Sequence, residues 1–141
     1  MKVILNGEEQ LIERLEGLVD IQKLERAMAK AALYVEGEAK KKAPRDTGEL
    51  ANSITSKVET SGSEVTGTVF TPLYYAPYVE YGTGLFAEGG GGRQDVPWNY
   101  QDDEGNWHST SGQHPQPFMR PALDENREQV LRILKEGVIN D

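Results

Sequence analysis

The sequence predicts an α+β domain, a small antiparallel sheet with two main helices packed on one face, plus a long flexible loop carrying a second hairpin. Three observations lead there. An apolar stripe at helical spacing runs between Asp20 and Pro44, and a two-stranded alternation runs from Ile54 to Thr71. A second helical stripe closes the chain, with Leu123, Val130, Leu134 and Val138 near one face.

The elements follow in order. Lys2-Val3-Ile4-Leu5-Asn6-Gly7 reads as a short strand stopped by a glycine turn. From Glu8 to Leu18, Leu11, Ile12, Leu15 and Leu18 recur at helical spacing, interrupted by Gly17. Asp20 is placed to cap a longer helix, along which Ile21, Leu24, Met28, Ala31, Val35 and Ala39 form a narrow apolar stripe. That helix should end by Ala43, because Pro44 disfavours helical geometry in the residue before it. Asp46-Thr47-Gly48-Glu49-Leu50 is a second helix start and a structural turn. Its small polar side chains can accept from free backbone amides, and Gly48 can take an angle other residues resist.

Ile54–Thr60 and Glu64–Thr71 alternate as strands around a Ser61-Gly62-Ser63 turn, with Val65, Gly67 and Val69 opposed to Thr66, Thr68 and Phe70. Next come the aromatic run PLYYAPYVEYGTG and the glycine-rich AEGGGGR, where Gly89 to Gly92 are expected to be mobile. Val96–Tyr100 and Asn106–Ser109 flank Asp102-Asp103-Glu104-Gly105 as a second hairpin, and HPQPFMRPAL opens the final helix. The whole chain, 1–141, is expected to be one domain, with 88–112 inserted as a flexible arm between the sheet and the last helix.

Composition narrows the function. The 141 residues carry a net charge of −8, which opposes general nucleic-acid binding, since phosphate affinity comes mostly from Lys and Arg. There is no cysteine, so disulfides and thiolate chemistry are out. No apolar run approaches the roughly 18–20 residues of a membrane span, and no basic-then-apolar leader opens the chain.

Catalytic constellations are equally scarce. His108 and His114 stand near Asp95, Asp102 and Asp103, but the spacing matches no zinc pattern, and there is no HExxH. No serine lies in a GxSxG turn, and the glycine run precedes no Lys-Ser/Thr. The expectation is therefore no catalytic, cofactor or metal site and no small-molecule substrate. Lys40, Lys41, Lys42 and Arg45 form the single basic cluster. At a helix C-terminus it complements the dipole, and as a DNA contact it would define a nucleic-acid-binding accessory protein.

The aromatic segment carries more information. Tyr74, Tyr75, Tyr78 and Tyr81 crowd a short stretch, and a small domain has limited interior for four rings whose hydroxyls also need partners. They are either a half-buried layer or a subunit interface, where Tyr is enriched. Trp98, Trp107 and Phe118 join them as interface candidates.

Three segments, AKKKAPRDTGELANSI, YYAPYVEYGTG and QHPQPFMRPAL, resemble in that order the signature of the head–tail joining family of long-tailed phages, its tail-completion or minor tail components. Ala39, Lys40, Ala43, Pro44, Asp46, Thr47, Gly48 and Leu50 carry the first motif, and Tyr75, Ala76, Val79, Glu80, Gly82 and Thr83 the second. Pro115, Pro117, Phe118, Pro121 and Ala122 carry the third. The resemblance implies a non-enzymatic virion protein of a phage or prophage, assembled in the host cytoplasm. Its subunits would form a homo-oligomeric ring, with a hexamer as the candidate stoichiometry, alongside other neck and tail proteins. DNA would pass through that ring without sequence-specific binding, and an acidic wall would suit such a conduit by repelling phosphates.

Overall fold

The structure, a computed structural model, describes the backbone of residues 2–5 and all of residues 20–139. The expected helical stretch from Glu8 to Leu18 lies outside them. The described residues form two compact units, one spanning 1–72 with 118–141 and the other 73–117.

The first unit is built on a three-stranded antiparallel sheet of β1 (Lys2–Leu5), β2 (Thr55–Ser61) and β3 (Glu64–Phe70). The order is β1-β3-β2, so the hairpin strand β3 is central. Val3 pairs with Val69 on one side of it, and Ser56 pairs with Val69 on the other. The hairpin turn holds two residues, Gly62 and Ser63, and only Gly62 has a positive φ, +62°. A glycine at the first central position with an ordinary residue after it is the pattern of a type II′ turn. Along β3 Val65, Gly67 and Val69 are buried, as the alternation predicts, and Thr68 joins them.

Helix α1 (Ile21–Lys42) starts where Asp20 accepts a hydrogen bond from the Gln22 amide at 2.9 Å. It ends at Ala43, which is already extended with Pro44 next in line. Its buried set is Leu24, Ala27, Met28, Ala31, Ala32, Val35 and Ala39, wider than the predicted stripe. Ala27 and Ala32 are added, while Ile21 is only half-buried. The reason is tertiary: α1 packs on β2 and β3 along one flank and on the last helix along another.

After α1 comes the short α2 (Glu49–Ser53). Ser53 donates to the Leu50 carbonyl at 2.6 Å, and its hydroxyl lies 2.7 Å from that of Thr71 at the end of the hairpin. The chain then returns to this unit at Phe118, beyond the other unit.

The single final helix of the sequence prediction is two helices, α4 (Met119–Asp124) and α5 (Arg127–Ile139). Asn126 makes the break. Its amide nitrogen donates to the Ala122 carbonyl at 2.9 Å, its oxygen accepts from the Tyr34 hydroxyl at 3.3 Å, and its own carbonyl begins α5 by accepting from Val130. Here a side chain takes the place of the next helical amide. The break also turns the buried face, which holds Met119, Ala122, Val130, Leu134 and Gly137 but leaves Leu123 and Val138 half-buried.

α5 packs along α1, and α4, the first part of the predicted final helix, reaches β1 of the sheet. α1 and α5 approach closely at Gly137, where a Cβ would stand 2.6 Å from that of Ala27. The core of this unit is Leu24, Met28, Val35, Ile54, Val69, Phe118, Met119 and Val130.

Candidate assembly interface

The 73–117 unit begins with α3 (Ala76–Tyr81), which has Pro77 in its first turn, where a missing amide costs nothing. The helix stops at Gly82, whose φ of +80° excludes most side chains, and whose Cβ would stand 2.9 Å from the carbonyl oxygens of Gln113 and Phe86.

From there the chain is laced to the segment that closes the unit. The Thr83 amide donates to the Gln113 carbonyl at 2.9 Å, and its hydroxyl accepts from the Gln113 amide at 2.9 Å. The Leu85 amide donates to Ser111, and the Gln116 amide to Val79. Gly84 and Gly112 face each other across this lace, and a Cβ on either would collide with the opposite backbone. The motif Gly82-Thr83-Gly84 is thus a backbone clasp that joins both ends of the loop between them.

The glycine run inside that loop is divided in function. Gly89 and Gly90 sit at positive φ in a tight turn over Glu88–Gly90, with open space where a Cβ would stand. Gly92 is pressed against Gly84 and Ala87, where a side chain has no room. Beyond it, β4 (Trp98–Gln101) and β5 (Trp107–Thr110) form the second hairpin, Trp98 opposite Thr110 and Gln101 opposite Trp107.

Asp102 organises that hairpin's turn. One carboxylate oxygen accepts from the amides of Glu104 and Asn106 at 3.0 and 2.8 Å, and the other lies 2.7 Å from His108 Nε2. These bonds, the one to His108 first, hold its carboxyl below the usual carboxylate range. Tyr100 stacks on the same imidazole, with ring centres 5.2 Å apart. His114 stacks on Phe86 at 4.0 Å. Both histidines are thus accounted for by neighbours, and among the described residues no three His, Cys, Asp or Glu side chains gather as a metal would require.

The interface candidates divide by burial. Tyr74 is 83% exposed, Trp107 70% and Tyr78 55%, and Tyr81 is exposed as well. Tyr75, in edge contact with Tyr74, and Trp98 are half-buried. Phe118 has to be taken off the surface list: it is fully buried, a core ring of the first unit.

The sequence reading overlooked Leu85 and Phe86, large apolar side chains that are also exposed in the 73–117 unit, whereas Tyr100, expected beside Trp98 and Trp107 as a ring displayed on the second hairpin, is exposed as well. The sequence reading also gave no role to Glu80, which is fully buried. Tyr78, Gly84, Gly92 and Trp98 line an open groove of about 580 Å³, with the Arg93 guanidinium 5.0 Å from the centre of the Trp98 ring.

The structural turn at 46–48 has a division of labour. Gly48 stands at φ +82° directly before α2, and the Thr47 hydroxyl accepts from the Glu49 amide at 3.2 Å. Asp46, expected to share the capping, is exposed and makes no hydrogen bond among the described residues.

The basic cluster is engaged within the first unit. Lys40 pairs with Glu36 at 3.5 Å, Lys41 with Glu38 at 3.1 Å and Lys42 with Glu125 at 2.6 Å, while Arg45 donates to the Lys40 carbonyl. No described helix is long and apolar enough to cross a membrane.

Comparison with known proteins yields a family match. The family model described as "Bacteriophage HK97-gp10, putative tail-component" covers residues 9–82, more than half of the chain. Neither the curated proteins nor the solved structures give a match. The matched region contains α1, the Thr47-Gly48 turn, the β2–β3 hairpin and α3 up to the first glycine of the clasp, and so the whole of the first motif and the second as far as Gly82. The chain belongs to the HK97-gp10-like family of bacteriophage tail components, structural proteins of the virion.

Proposed function

We propose that this tail component is the subunit of a ring at the neck that joins tail to head, with a hexamer as the candidate form, and that it acts by assembly and not by catalysis. The observation that carries the proposal is the concentration of large exposed apolar side chains, six of them aromatic rings, on one unit: Tyr74, Tyr78, Tyr81, Leu85, Phe86, Tyr100 and Trp107 all lie within 73–117. A lone soluble subunit rarely exposes so much apolar surface together, and Tyr and Trp are the residues that anchor protein interfaces.

Assembly in the host cytoplasm would cover these rings with other copies and with neighbouring neck and tail proteins. The chain's net charge of −8 suits a ring through which DNA passes without being held. The alternative, a nucleic-acid-binding accessory protein using Lys40 to Arg45, loses ground because each lysine of that cluster already has a carboxylate partner.

Complementation of a phage lacking this gene tests the proposal. A Tyr74→Ala, Tyr78→Ala chain should fold normally yet leave free tails and free, DNA-filled heads in the lysate. Normal yields of joined virions with that variant would sink the proposal. Salt-sensitive retention of DNA in a gel at physiological ionic strength would revive the alternative.

A further inference from the structure

We infer that neighbouring copies meet head to tail, the Trp107 end of one copy's β4–β5 hairpin seating in the Tyr78–Trp98 groove of the next. This rests on the proposed ring and adds which surfaces meet. Trp107 is 70% exposed at the turn end of its hairpin, a bulky ring left mostly uncovered by the described residues. The groove, about 580 Å³, falls in the size range of pockets that enclose a bulky ligand, and at Gly91 on its lining the space where a side chain would begin is open to an incoming chain.

A copy cannot fill its own groove with its own Trp107. The register puts Trp98, which lines the groove, opposite Thr110 at the open end of the ladder, and Trp107 opposite Gln101 at the other end. Three residues of strand separate them, roughly 10 Å, and the ladder holds them apart. The ring that fills the groove therefore comes from a second molecule.

Charge selects the same pairing. From Leu73 to Pro117 the sequence holds one Lys or Arg, Arg93, against the six carboxylates Glu80, Glu88, Asp95, Asp102, Asp103 and Glu104, a net −5. The lone cation sits on the groove. Its ion-pair partner, Asp95, is 3.6 Å away with a side chain 94% exposed, a weak surface pair, and Arg93 Nε also donates to the Asp95 carbonyl at 3.0 Å. Trp107 shares its hairpin end with Asp102, Asp103 and Glu104. On this acidic unit the groove is where such a tip meets an opposite charge, and Glu88, the lining's one carboxylate, steers it toward Arg93 by repulsion. A contact between two different patches is heterologous, and it closes into a ring when the rotation between copies matches.

The absence of cysteine permits a clean test. Glu104→Cys marks the exposed tip. Gly91→Cys marks the groove at an ordinary φ of −85°, with nothing within 4 Å of the added Cβ. With a short bismaleimide, a mixture of the two single variants should give covalent dimers while neither variant alone does, and the double variant should give a ladder. Adding Trp107→Ala to the tip variant should lower the yield roughly tenfold or more with circular dichroism and melting unchanged, the loss expected of an interface anchor. Trp107→Phe should keep most of the yield. Self-cross-linking of Glu104→Cys, or no product from the mixture, overturns the inference. Ring-sized oligomers in native mass spectrometry without the mixed product would overturn the contact of Trp107 with the groove alone, whereas absence of both would overturn the ring as well.

Discussion

Single residues decide more here than their size suggests. Gly137 lies within a helix, where alanine is ordinarily favoured by about 0.8–1 kcal/mol. At this position the added methyl would stand 2.6 Å from the Ala27 Cβ, and overpacking costs about 1–3 kcal/mol. The contact should win, so Gly137→Ala is expected to lower the thermal midpoint, and a raised midpoint would show that α1 and α5 separate easily. The turn before α2 gives a paired expectation. Thr47→Ala should cost about 0.5–2 kcal/mol through loss of the bond to the Glu49 amide. Asp46→Ala, which loses no bond, should stay within about 0.5 kcal/mol. Denaturant melts of the two variants check both values, and equal losses would contradict the assignment of the cap to Thr47.

At the scale of elements, the second hairpin depends on Asp102. Its carboxyl is held below the ordinary value of 3.8, so the stabilisation it supplies is complete above pH 3.8 and is lost as pH falls through the lowered value. Cross-strand contacts between Tyr100 and His108, followed by NMR, should therefore persist down to the ordinary carboxylate range and fade only in stronger acid. Asp102→Asn should weaken the turn at neutral pH. A hairpin unchanged in that variant would show that the ladder alone holds it. The final helix teaches a related lesson. Its apolar residues repeat as one stripe, yet Asn126 interrupts it, because its side chain finds both the Ala122 carbonyl and the Tyr34 hydroxyl, the latter supplied by α1.

For the molecule as a whole, the clasp fixes where the loop can be cut without harming the rest. Replacing Trp98–Thr110 with a short flexible linker leaves Thr83, Gly84, Gly112 and Gln113 in place. The 1–72 and 118–141 unit, with its own core, should melt as in the intact chain. Phage carrying the replacement should assemble tails that fail to join heads. Normal titres from such phage would make the hairpin a dispensable appendage, and an unfolded protein would show that the clasp needs the hairpin above it.

Local signals reach only a few residues along the chain, and what they govern was legible in the sequence. The Asp20 cap, the stop at Pro44, the glycine turn of the first hairpin and the α+β class all depend on hydrogen-bonding and steric preferences of adjacent residues. The crowding of tyrosines, and with it the prospect of an interface, was legible for the same reason. Tertiary structure alone decided the rest. Strand β1 pairs with a strand far along the chain, Ala27 and Ala32 are buried because two surfaces close on α1, and Phe118 is core while Tyr74 is bare. Gly82, Gly84 and Gly112 look like flexible spacers until the backbone of residues 111–113 is brought against 82–85. Each of these follows from which distant segments share one interior, and residue type alone does not encode that choice.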